Sequence, residues 1–200
     1  MDVSLIDLWL PIVVSAVVVF FASFLAHMVL PHHKKEWSKL PQEDKMLELV
    51  RGGGAPPGQY MFPHCGNMAD LKDPDKKKHF EAGPFGIIRV WPAMPSMGRN
   101  LGLTFATYLV IGVFVAYLGT AASFGPNPDF MPVFRFTATA AIMAHCLGFV
   151  GHAIWYGQPL KYWAFDTLDG IAYGLLVGAT FAFLWPALEG PSITVPGING

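Results

Sequence analysis

Four long apolar runs separated by polar connections set the pattern of this chain. The first, Leu8 to Ala26, holds 19 residues without a charge, and its apolar character continues to Leu30. A bilayer crossing takes about 20 such residues, so the run predicts a transmembrane helix. Its valine-rich centre is no obstacle, because in lipid the backbone must bond to itself whatever the side chains prefer. Pro11 falls in the first turns, where a missing N–H matters least, and Pro31 stops the helix. Leu101 to Ala122 is a second run, 22 residues without a charge. A third helix is expected over 132–156, with Arg135 in its first turn, and a fourth over 166–188. The expected fold class is an all-α integral membrane protein with four transmembrane helices, at 1–30, 99–123, 132–156 and 166–188, and a flexible tail at 189–200.

Between the first two spans lies a polar connection of 68 residues, 31–98, expected to form a small cytoplasmic cap. Within it, Pro41 to Arg51 is opened by proline and acids and closed by glycines, the signature of a short amphipathic helix. Tyr60 to Phe62 and Gly86 to Pro92 alternate weakly and predict a small β-hairpin. The run from Asp70 to Lys78 is expected to be a solvated charged surface that touches anionic lipid.

Composition agrees with the membrane reading. The chain is 53% hydrophobic and 14% charged, where a soluble domain carries about a quarter charged residues. A net charge of -1 gives no argument for nucleic acid, and the two cysteines, Cys65 and Cys146, form no CxxC or disulfide framework. The N-terminal residues carry no basic group of the kind a cleaved signal has, so the first span is expected to be permanent.

Charge then orients the bundle. Ten of the 13 Lys and Arg residues lie in 31–98, and Arg99 borders it. The positive-inside rule puts this connection and the third-to-fourth loop, with Lys161, on the cytoplasmic side and both termini outside, as in a bacterial inner membrane. Trp9 and Trp185 then mark the outer interface, and Trp37, Trp155, Tyr156 and Trp163 the inner one.

Small residues recur at four-residue spacing. Gly170, Gly174 and Gly178 form a smooth stripe on the fourth helix, matched by Ala140, Ala144 and Gly148 on the third and by Gly112, Ala116 and Thr120 on the second. Such stripes are packing faces. Sorted by depth, His27, His152, Asp166 and Asp169 gather at the inner level, and His145 lies about 10 Å deeper on the face of His152. Ionisable groups at membrane depth are functional candidates. The acids are expected to cap the fourth helix, and Asp7 and Arg135 to form an ion pair at the outer end.

No GxSxG, HExxH, Walker A or glycine-fingerprint pattern occurs, so catalysis has no support. His27 with His152, or His145 with a second subunit, offers haem ligands, but no cofactor is assigned. His64, Cys65, Met68 and His79 offer weak candidates for a soft metal, with His32 and His33 as a further pair. The expected role is a non-catalytic accessory subunit packing in the lipid bilayer against other membrane proteins or itself. The alternatives are a small proton- or ion-conducting protein, using His145, His152 and Asp169, and a haem- or metal-binding redox subunit.

Overall fold

The computed structural model describes residues 3–187. Leu188, the 189–200 tail and the charges at Asp2 and Glu189 lie outside the described residues. The chain is mostly helical and divides into two units, 1–37 with 98–200 and 38–97.

In the first unit a short 3-10 turn, Ile6–Leu8, leads into α1, Trp9–Phe24, which widens into a π-helical turn at Leu25–Val29. There the Leu30 N–H reaches back five residues to Leu25 O at 2.9 Å. Leu30 then turns extended, as a residue before proline must, and the helix stops. The 24-residue segment Ile6–Val29, helix α4 (Met97–Ala121, 25 residues) and the 26-residue segment Phe130–Trp155 are long and apolar enough to cross a membrane. The third segment is not one continuous helix as expected. α5, Phe130–Leu147, ends at Gly148 and Phe149, and α6, Val150–Trp155, follows.

α7 spans Leu160–Phe183, 24 residues. It starts six residues before the expected Asp166. Pro159 occupies its N-cap, and no side chain caps it. Asp166 and Asp169 therefore do not cap the helix. They stand in its second and third turns, on a surface that faces protein.

The close packing of this unit is between α5 and α7, with α1 also lying along α7. A Cβ added to Gly170 would lie 2.7 Å from Cys146 Sγ, one on Gly174 2.6 Å from the Ile142 nitrogen, and one on Gly178 2.8 Å from Ala138 Cα. The α7 stripe thus admits the backbone of α5. Its partner row is Ala138, Ile142 and Cys146, whereas Ala144 and Gly148 are exposed and Ala140 is half-buried. The row at Ala140, Ala144 and Gly148 lies on a neighbouring face. α5 carries alanine on several sides, so residue size alone does not choose the contact face. Gly112 meets Ile12, with its absent Cβ 3.3 Å from the Ile12 carbonyl oxygen. Phe181, Leu8, Val19, Val115 and Val133 fill the interior, and Trp185 Nε1 donates to Gly125 O at 3.1 Å.

The second unit holds α2 (Glu43–Gly52), β1 (Gly58–Phe62), α3 (Pro74–Ala82) and β2 (Gly86–Val90). The strands pair antiparallel, with Tyr60 opposite Ile88 and Phe62 opposite Gly86. The expected solvated charged run is exposed, and from Pro74 onward it is helical, in α3. Asp73 caps it, accepting from the Asp75 N–H at 2.9 Å, and Pro74 occupies the first turn.

Gly174→Ala is expected to destabilise the bundle by about 1–3 kcal/mol through overpacking against α5. Gly102→Ala, where a Cβ meets nothing within 4 Å, is expected to be neutral or slightly stabilising. Unfolding of both variants in mild detergent checks the contrast.

Candidate functional site

The polar residues that converge lie where the chain leaves α1 and folds back on the start of α7. The π-turn carries His27, whose Nδ1–H donates to the Ser23 carbonyl at 3.0 Å. A π-turn is an α-helix with one residue inserted, and such turns recur at functional sites. After Pro31 come His32 and His33. Tyr162 Oη donates to the Lys35 carbonyl, fastening this short reversal to α7.

His33 sits at the centre and is only 7% exposed. Its Nε2 lies 3.0 Å from Asp169 Oδ2, and its Nδ1 3.0 Å from Glu36 Oε2. His32 Nε2 approaches the same Asp169 oxygen at 3.2 Å. The His27 ring stacks on His33 at 4.3 Å, nearly parallel, and the Phe165 edge covers both His32 and His33. Asp166 accepts from Gln158 Nε2 at 2.6 Å. Burial pushes the His33 imidazole toward neutrality, but hydrogen bonds and charge from Asp169 and Glu36 outweigh it and hold its pKa above the ordinary value.

Two overlapping sets of potential ligand atoms result, His27–His33–Asp166 and His32–His33–Asp169, each within 4.8 Å of one another. Donors bound to zinc at about 2.0–2.1 Å in a tetrahedron stand about 3.3–3.4 Å apart. The separations of 3.0 and 3.2 Å to Asp169 are close to that spacing. The surroundings match what such ligands need. Glu36 holds Nδ1 of His33, and a backbone carbonyl holds Nδ1 of His27. That leaves Nε2 of each as the coordinating atom, with its tautomer set by the outer partner. Imidazole and carboxylate donors without sulfur suit a divalent ion of the zinc, iron, cobalt or nickel type rather than Cu(I).

Of the residues singled out from sequence, His27, Asp166 and Asp169 meet here. His145 does not join the ligand sets. It stands half-buried between the rings of Tyr108 and Tyr173, at 5.8 and 5.7 Å. It lines a cavity of about 260 Å³ that also borders His27, Asp166 and Asp169. His152 is exposed beside Tyr156, with ring centroids 4.5 Å apart. It follows the break between α5 and α6 and joins neither ligand set.

Asp7 does not pair with Arg135. Its carboxylate accepts from Ser4 N–H and Ser4 Oγ at 2.9 and 2.6 Å, partners three residues away that need no folding of distant chain. In the second unit His64, Cys65 and His79 line a cavity of about 490 Å³ with Asp70 and Lys76. They form no close ligand set among the described residues. Lys76 is paired with Asp70 at 3.0 Å, the Cys65 thiol donates to Asn67 O, and Met68 points outward.

Sequence reasoning named His32 and His33 only as a further metal-ligand pair and did not name Glu36. The signal was a Pro-His-His run immediately past an apolar segment, which places histidine at the membrane edge rather than in the connection. Comparison with known protein families, curated proteins and solved structures finds no match for this chain.

Because His33 has a raised pKa in the folded state, its network is expected to stabilise the metal-free protein below the unfolded value near 6.5. This contribution is lost as pH rises through the folded-state value, and Asp169→Asn is expected to flatten the pH dependence. Thermal unfolding of chelator-treated protein from pH 5 to 9 checks the sign.

Proposed function

We propose that this chain is a four-span integral membrane protein that holds a divalent transition-metal ion at the membrane edge, as an accessory subunit of a membrane complex. The observation that carries the reading is His33. It is buried, its Nε2 and that of His32 converge on one Asp169 oxygen, and its Nδ1 is held by Glu36. Imidazole nitrogens and carboxylate oxygens converge there within ligand spacing, and an ion takes the place of the protons that they share in its absence. The fourth span is α7. Lys161, Asp166 and Asp169 interrupt its first half, but its second half is apolar and lies along α5. The positive charges beside the cluster support a bacterial inner membrane with 31–98 inside and both termini outside. No catalytic role is part of this reading.

Detergent-purified protein, stripped with chelator, is expected to take up one Zn(II) or Co(II) per chain at micromolar concentration. His33→Ala and Asp169→Ala abolish uptake, and Glu36→Gln weakens it about 10–100-fold. Absence of uptake by the wild type, with the fold intact, rejects the reading. For topology, Cys65, which is partly exposed, is expected to resist an impermeant thiol reagent in spheroplasts and to react once the membrane is opened.

A second reading, conduction of protons or small ions, is supported by the cavity that joins the acids to His145. It requires a pH-dependent flux in liposomes that His145→Ala removes.

A further inference from the structure

One amphipathic helix of the second unit leaves most of its apolar face uncovered. At about 100° per residue, Met46, Leu47, Leu49 and Val50 of α2 fall within an arc of about 160°. Asp44, Lys45, Glu48 and Arg51 occupy the opposite arc. Glu43 alone falls among the apolar positions, in the first turn, where it pairs with Lys39 at 3.7 Å. Among the described residues no helix or strand packs along α2, and none of its own residues is buried. Leu47 and Leu49 are exposed, and Met46 and Val50 are half-buried. A helix of 10 residues is too short to be stable in water on propensity alone, so burial of its apolar face must support it.

The chain keeps this helix close to the membrane-length spans. The first of them ends at Val29, and the Tyr162 hydroxyl fastens the Lys35 carbonyl just beyond it. From Lys35 to Glu43 an extended chain reaches no more than about 30 Å. Trp37 and Leu40, within that tether, are exposed. At the other end of the unit Trp91 and Met94 are exposed too, a few residues before α4 begins at Met97. Tryptophan beside apolar spans marks the headgroup level of a bilayer. Continuity with the spans therefore favours lipid as the cover. A protein partner is a poorer match, because a standard interface engages roughly 20–30 residues a side, far more than this short face presents. A tethered helix, by contrast, meets the bilayer at high local concentration and needs little affinity of its own.

We propose that α2 lies along the lipid headgroup layer, with Met46, Leu47, Leu49 and Val50 turned into the acyl boundary and Asp44, Glu48 and Arg51 turned to water. The helix carries more acids (Glu43, Asp44, Glu48) than bases (Lys45, Arg51). Apolar insertion, not attraction to anionic lipid, therefore supplies the binding. The inference rests on the membrane-spanning reading of the chain and needs no metal ion.

The test places nitroxide spin labels on single introduced cysteines in the whole protein, in lipid nanodiscs, with Cys65→Ser and the buried Cys146 left in place. Collisions with oxygen, which concentrates in the acyl region, are compared with collisions with a water-soluble nickel chelate. Labels at Leu47 and Leu49 are expected to favour oxygen, and labels at Asp44 and Glu48 to favour nickel. Leu49→Glu is expected to lower the oxygen-to-nickel ratio of a label at Leu47 at least about threefold, by removing apolar area from lipid. Nanodiscs of phosphatidylcholine alone are expected to give the same pattern as nanodiscs that also contain phosphatidylglycerol, and loss of the pattern without the anionic lipid overturns the proposal. Low access to both reagents at Leu47 and Leu49 means that protein covers the face, and nickel access at every labelled site of α2 means that water does; either result overturns it. A label at Phe21, which is exposed on α1, separates this inference from the reading beneath it. If Phe21 excludes nickel while Leu47 and Leu49 admit it, the spans stand and the docking of α2 fails. If Phe21 admits nickel, the membrane-spanning reading fails as well.

Discussion

Backbone contact between α5 and α7 is the constraint on which the rest of the first unit depends. In lipid there is no hydrophobic gain from bringing two helices together, so close van der Waals packing must supply the attraction. Three glycines one turn apart remove the side chains that would hold the helices apart. Gly170 adjoins Asp169 and sits against Cys146. The height and rotation of the acid are therefore set by a backbone contact, beside which the Cys146 thiol donates to Thr167 O at 3.6 Å. Gly174 adjoins Tyr173 in the same way, so the phenol is aimed by the same seam. The acids depend on this backbone contact for their geometry.

The cluster itself shows how charge is tolerated near the edge of an apolar bundle. Asp169 accepts from two histidines at one oxygen, and Asp166 has the Gln158 amide. Each carboxylate thus has a donor, and the most buried histidine has a carboxylate at both nitrogens. Buried ionisable groups are costly unless paired in this manner. Phe165 packs its ring at a steep angle to those of His32 and His33 on one side of the cluster.

Much of this was legible in the sequence, and the reasons differ by element. The uncharged runs beginning at Leu8 and Leu101 announce membrane-length helices because length and charge are sufficient tests. The Gly170 to Gly178 row was visible because small residues at that spacing are rare by accident. α2 and the β1–β2 pair were visible from their local start and stop signals. The start of α7 was hidden because Gly157, Pro159 and Lys161 make 157–165 look like a loop. α3 was hidden behind its charge, although Asp73 and Pro74 are ordinary opening residues. The partner face on α5 and the return of His32 and His33 onto α7 are tertiary facts, and neither has a local signal.

The π-turn at Leu25–Val29 gives the cluster an unusual vulnerability. An α-helix advances about 100° per residue, so removing one residue from that turn would restore a regular helix and swing the following chain by that angle. The apolar run would lose one position in more than twenty and look the same on any hydropathy profile. Yet His27, Pro31 and the histidine pair would all change heading relative to α7. Length variants of the first helix among relatives of this chain would therefore be a sharper marker of whether the cluster is kept than any count of histidines.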